Sequence, residues 1–232
     1  LIGGDWQGSG TMRQATTVTM SADSTIDASA TDNGDGGKVV LWSAINNVSS
    51  ITTVHGTVYA NAGMNGGDGG RIETSGHFLN ADGVQGSASS TLGRAGEWLF
   101  DPTHISIGTT GTAGANNDGS TISASSINSL LDGGTSVTVT TYSGGGDLGD
   151  LTVNSAIAKT QGATDVTLKL RAANSIVINQ SITRSGSGAG KLNLVFDSDN
   201  NTNATTADAS PSRDGGGIVI LQSSLSTAGG NV

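Results

Sequence analysis

The chain has 232 residues, of which 37 are Gly and none is Cys, with 19 acids against 10 bases and a formal net charge of −9. Without cysteine there are no disulfides, thiolate zinc sites or cysteine nucleophiles. No run of Lys or Arg offers the clustered cations that nucleic acid or an anionic membrane surface requires, and no apolar run approaches the ~20 residues of a membrane helix.

Glycine stands far above its usual ~7%, yet short Val/Ile/Leu/Thr clusters recur throughout, which argues for a folded chain rather than a disordered one. Strand signals bounded by Gly, Asn or Asp begin at 16–20, 24–29, 38–43, 48–52 and 56–61. They continue at 71–76, 77–81, 97–101 and 104–108, then at 136–141, 150–154, 165–172, 175–182, 191–197 and 216–225. One helix is predicted over Ser123–Gly134. Ser125 or Ser126 caps its start, Gly133 stops it, and Ile127, Leu130 and Leu131 form its apolar face.

The first half repeats. Gly34-Asp35-Gly36-Gly37 returns as Gly67-Asp68-Gly69-Gly70, 33 residues on, and Ile26–Ala30 returns as Val58–Ala62, 32 residues on. A third corner, "GRAGEWLFD", places Gly96 26 residues beyond Gly70. Short strands at such a period, with no helices between them, predict a β-solenoid rather than a βαβ fold. A Greek-key sandwich shares the short strands but not the period. Along "KVVLWS", Val39 and Leu41 then face one side, and Val40 and Trp42 the other. Gly36, Gly37, Gly69, Gly70 and Gly96 are expected as corners where a positive φ is needed. Trp98 and Pro102 are expected to fix the turn after the third corner. Lys38 and Arg71, at matching places, are expected to be solvated.

Four blocks occur in a telling order: "IGGDWQGSG" (2–10), "IDASATDNGDGGKVVLWS" (26–43), "NGGDGGRIETSG" (65–76) and "GRAGEWLFDPTHISI" (93–107). They resemble the stalk of large filamentous-haemagglutinin-type adhesins exported by two-partner secretion, strongly over residues 1–107 and more loosely beyond, as in "VTLKLRAANSIVINQSI" (166–182). The resemblance implies an all-β, right-handed parallel β-helix with one short helix. Regular coils are expected over 1–108, and over 109–232 a continuation with longer loops at 109–135 and 197–215. It implies a shaft that mediates attachment or builds extracellular filaments, secreted or held at the surface of a Gram-negative bacterium. The partners it implies are an outer-membrane barrel transporter during export, a host-cell, neighbouring-cell or glycan receptor, and other copies of the chain end to end or side by side. Neither nucleic acid nor membrane insertion is expected. Leu1 opens in mid-pattern, so the sequence reads as a segment of something longer.

Chemistry is sparse. Gly34–Lys38 precedes a strand, not the helix of a phosphate loop. Asp197, Asp199, Asn201 and Asp208 fall at positions 1, 3, 5 and 12 of an EF-type loop, a weak calcium candidate because Thr202 replaces the required Gly. No other cofactor is expected. His55, His77 and His104 match no catalytic spacing. Asp27, Glu73, Glu97 and Asp101 are the acids closest to a carboxylate cluster of a β-helical polysaccharide lyase or hydrolase, the alternative function. Glu73 takes the place of Val40 in the aligned coil and is expected to face solvent. The aromatics Trp6, Trp42, Trp98, Tyr59, Tyr142, Phe78, Phe100 and Phe196 are read as packing residues before glycan platforms. Asn47, Asn179, Asn200 and Asn203 head N-x-S/T sequons.

Overall fold

A computed structural model describes residues 1–108, 119–142, 148–188, 190–198 and 217–232. Three strands make each of the first circuits of the chain: β1 (Thr17–Met20), β2 (Thr25–Asp27) and β3 (Lys38–Trp42); β4 (Ile51–Val54), β5 (Thr57–Tyr59) and β6 (Arg71–Ser75); β7 (Phe78–Asn80), β8 (Gln85–Ser87) and β9 (Glu97–Asp101). Next come β10 (Ile105–Gly108), β11 (Thr121–Ser123), helix α1 (Ala124–Asp132) and β12 (Ser136–Thr140). The three-strand rhythm resumes with β13 (Leu151–Val153), β14 (Ile157–Lys159) and β15 (Val166–Arg171), then β16 (Ile176–Ile178), β17 (Ile182–Arg184) and β18 (Leu192–Asp197). It ends with β19 (Val219–Leu221) and β20 (Leu225–Ser226).

Every pairing between these strands is parallel and, apart from that of β10 with β11, joins equivalent positions of neighbouring circuits, an arrangement consistent with a β-solenoid. One sheet runs β3-β6-β9-β12-β15-β18, a second β1-β4-β7-β11-β10-β13-β16-β19, and the third face holds β2-β5-β8 and β14-β17-β20; none closes on itself. The repeats predicted from sequence set the register: Lys38 pairs with Arg71, Arg71 with Glu97, and Ile26 with Val58.

The strand alternation also holds. Val39 and Leu41 join the interior, where Val39, Ile72, Trp98, Val137, Leu168 and Leu194 form one column. Each such buried aliphatic side chain stabilises the stack by roughly 1.5–3 kcal/mol. Val40 and Trp42 face outward, yet they are buried in a second, smaller cluster with Ile45 and Tyr142.

The helix is capped two to three residues before the expected positions. Ser123 is the N-cap, its hydroxyl accepting from Ser126 N, while Ile127, Leu130 and Leu131 are buried as predicted. Gly133 ends it, and Gly134 turns the chain away with a φ of +79°. The helix replaces a strand on the third face and separates its two sheets. A helix is ~10 Å across, about two strand spacings of ~4.8 Å. The eight-stranded sheet gains a strand in the same region: β10 runs ahead and β11 returns to fill the place between β7 and β10. Lys159, fully buried, closes the far end of the helix, its Nζ donating to the carbonyls of Leu131, Gln161 and Gly162.

Candidate functional site

The glycine corners are built by close approach. None of Gly36, Gly37, Gly69, Gly70 or Gly96 has a positive φ, contrary to the expectation; Gly34 and Gly67 carry that conformation. A Cβ at Gly36 would lie 1.9 Å from Ala60 O, and one at Gly96 2.2 Å from Gly70 O, so any side chain would hold neighbouring circuits apart. The aspartate of each corner staples the next circuit. Asp35 Oδ1 accepts from Asp68 N at 2.8 Å, and Asp68 Oδ1 accepts from Arg94 N at 2.8 Å, while Arg94 also donates its guanidinium to Oδ2. These bonds hold the partly exposed Asp68 carboxyl below the usual range. Trp98 is not at a corner: it lies inside β9, fully buried, its Nε1 donating to Thr74 Oγ1 and its ring stacked on Phe100 at 5.5 Å. Pro102 follows the strand, its carbonyl accepting from Tyr142 N.

The outer face of the β3–β6–β9 region is different, because residues 2–15 form a strap over it. Ile2 pairs along the free edge of β3, donating to Val40 O and accepting from Trp42 N. Ala15 returns to the sheet beside Ser43. Between these anchors the chain lies against the Trp42 indole. A Cβ at Gly4 would come within 2.3 Å of Trp42 Cδ1, and one at Gly8 within 2.6 Å of Cζ2. The spacing of the "GGxxxG" block is therefore fitted to one tryptophan 34 residues past Gly8. Trp6 packs against this cluster, with Arg71 Cζ 5.4 Å and Lys38 Nζ 6.0 Å from its ring centre. The two corner cations are solvent-exposed, as expected, and also sit over an aromatic face.

Glu73 lies beneath the strap. The expectation that it faces solvent is overturned: it is fully buried. Both carboxyl oxygens accept from Gln7 N, at 3.1 and 2.9 Å, and Oε1 also accepts from Ser75 Oγ at 3.0 Å. Burial outweighs these bonds and pushes its pKa from 4.5 up to about 7. Asp101, on the same face of the neighbouring strand and paired in register with Ser75, is 1% exposed. Its pKa is raised well above the ordinary value, first by burial and then by the charge of Glu73, with Arg171 opposing.

The other two acids stand apart. Asp27 is exposed on the third face, its Oδ1 accepting from Ser29 N, and the half-buried Glu97 accepts from Thr138 Oγ1. Beside Asp101 opens a cavity of about 260 Å³, lined by Gln7, Gly8, Gln14, Trp42, Ile45, Asn46, Asp101 and Tyr142. Trp42, Ile45, Asp101 and Tyr142 are its buried floor, and Gln7, Gln14 and Asn46 its exposed rim. Glu73 does not reach it. The amides and Ile45 carried no signal in the sequence; the glycines around Trp42 were the only trace of the strap.

The remaining candidates do not converge. The Nδ1 of His55 bonds Asp82 O, and that of His77 bonds Ile45 O; His104 is buried beside β10. Of the calcium candidates, Asp197 closes β18 and accepts from Arg171 Nε at 3.1 Å. Asp199, Asn201 and Asp208 lie outside the described residues, as do Asn200 and Asn203. Among the described residues no three His, Asp or Glu side chains are grouped to hold a metal. Asn47 accepts locally from Ser49 N, and Asn179 donates its amide to Asn154 on the preceding circuit. Tyr59, Phe78 and Phe196 are half-buried.

No family model matches the chain, and no curated protein matches it either.

Proposed function

We propose that the chain is a shaft segment of a large bacterial adhesin of the filamentous-haemagglutinin type, wound as a right-handed parallel β-helix. Its work is architectural. It spaces a binding region from the cell, or adds weak contacts along its length, at the surface of a Gram-negative bacterium. Its export runs unfolded through an outer-membrane barrel, and stacking of the circuits outside the cell supplies the free energy that holds it there. The observation that carries this reading is the ladder of six parallel strands from β3 to β18, stapled at its corners by aspartates that accept the next circuit's N–H groups. Such a stack extends by repetition, with each circuit adding ~4.8 Å.

The alternative, a carbohydrate-active enzyme, draws on Glu73 and Asp101, which share one face on adjacent strands. A glycosidase needs two carboxyls that both face the substrate across ~5–9.5 Å. Here the strap occupies Glu73, and Asp101 alone lines the cavity.

The test is twofold. In a chain carrying its flanking sequence, removal of whole circuits shortens the rod seen by electron microscopy by ~4.8 Å per circuit, and cells displaying the shortened protein attach less well. Release of reducing ends or unsaturated sugars from a polysaccharide panel by the purified segment would overturn the reading in favour of the enzyme.

A further inference from the structure

The middle of the strap is tied to the stack at one point. Ile2 and Ala15 hold its two ends. Between them, among the described residues, the only hydrogen bonds from residues 3–14 to the strands beneath are the two from Gln7 N to the Glu73 carboxyl. Gly8 N, Ser9 N and Met12 N all donate within the strap, to Asp5 O, Trp6 O and Asp5 Oδ2.

The closed strap is also weakly held. Apart from Gly4, no residue from 2 to 15 is buried, so little apolar packing keeps the segment shut. Gln7, which makes the tie, has a φ of +51°, a conformation that side chains disfavour and that opening relieves. Gly4 and Gly8 lie against Cδ1 and Cε2 of Trp42, the ring atoms on either side of Nε1, and that N–H is buried without a partner. Opening gives it to water.

We propose that residues 3–14 form a latch worked by a proton, closing over the neutral Glu73 carboxyl and released as that carboxyl ionises. The direction follows from which state holds the proton. Closure shuts out water and raises the proton affinity of Glu73; with the strap open the carboxyl is wet and ionises near its ordinary 4.5. Closure is therefore strongest below 4.5 and weakens as pH rises toward about 7.

The surrounding charges do not reverse that sense. Lys38 on β3 and Arg71 on β6 are exposed on the same face, and burial outweighs the attraction of Lys38. From β9 come Glu97 and Asp101, and Asp101 and Glu73 oppose each other's ionisation. β12 carries no charge; beyond it, on β15, stand Lys169 and Arg171, the latter paired with Asp197. The strap itself adds Asp5 and Arg13. No histidine, which would titrate in the same window, lies on the strap or in β3, β6 or β9. The latch does not depend on the shaft reading.

Hydrogen exchange on the 232-residue protein tests it, read as protection factors so that the intrinsic pH dependence of exchange is divided out. The amides of Gln7, Gly8 and Ser9 are expected to lose up to about 300-fold in protection between about pH 4 and about pH 8, the ratio set by proton affinities of 4.5 and about 7. The fall is confined between those two values. Amides of β6 and β9 stay better protected than the strap throughout, because the opening is local. Glu73→Gln makes the strap's protection level with pH, whereas Asp101→Asn keeps the fall. Should Glu73→Gln fail to fold, the wild-type profile still decides, by where its fall begins and ends. Strap protection that ignores pH, a fall that does not level off near 7, strap amides as well protected as those of β6 and β9, or a dependence that survives in Glu73→Gln overturns the proposal.

Discussion

Acids at the glycine corners and acids beneath the strap behave in opposite ways. Asp68 is only partly covered, accepts from Arg94, and has its pKa lowered. Glu73 also accepts a backbone N–H, that of Gln7, yet its pKa is raised to about 7. The hydrogen bonds are alike; the covering is not. At a corner, water completes the solvation of the carboxylate. Beneath residues 2–15 it is shut out, and desolvation exceeds what one backbone donor and one hydroxyl return. Where an acid sits in the stack therefore matters less than what lies over it.

The largest expected effect breaks the corner. Gly36→Val places side-chain atoms where even a Cβ would meet Ala60 O at 1.9 Å, and the stack loses at least about 3 kcal/mol or ceases to unfold cooperatively in urea.

Next comes the strap acid. The folded state holds the Glu73 proton more tightly than the unfolded chain does. The contribution of this group to stability is therefore greatest below pH 4.5 and is lost as pH rises through about 7, by on the order of 3 kcal/mol. Denaturation of Glu73→Gln across that window should show the dependence flattened.

A smaller change follows from Gly8→Ala. Its φ of +60° and the 2.6 Å approach of a Cβ to Trp42 loosen the strap at a cost of about 1–2 kcal/mol, read as a red shift in tryptophan emission. The smallest is Asp68→Asn. It lowers the unfolding midpoint slightly at neutral pH, and the difference from wild type disappears as pH falls below 3.8, where the native carboxylate takes up its proton. The opposite signs of the Glu73 and Asp68 dependences sharpen the comparison.

Much of the winding was legible in the sequence, because register in a repeating fold is a local property. The 33- and 26-residue shifts of the glycine corners are the pairings Lys38 with Arg71 and Arg71 with Glu97. The apolar triad Ile127, Leu130 and Leu131 marked the helix. Strands that borrow their structure from neighbours were missed. Gln85-Gly86-Ser87 has no apolar pattern and is a strand because β5 pairs with it. Ser175–Ile182 read as one strand, whereas Asn179–Ser181 separate β16 from β17. The return of Thr121–Ser123 to lie between β7 and β10 breaks the sequential order, which no local pattern encodes.

The site was the least legible part. Glu73 aligned with an outward position, and outward was read as wet. Its burial depends on Gln7, 66 residues away, and on glycines whose reason is the shape of Trp42.

Site-resolved carboxyl NMR titration of Glu73 and Asp68 in one sample tests the contrast most directly. A covered Glu73 titrates with a midpoint near 7, and Asp68 with one below 3.8. A Glu73 midpoint at or below 4.5 would mean that water reaches the face beneath the strap, and would contradict that contrast.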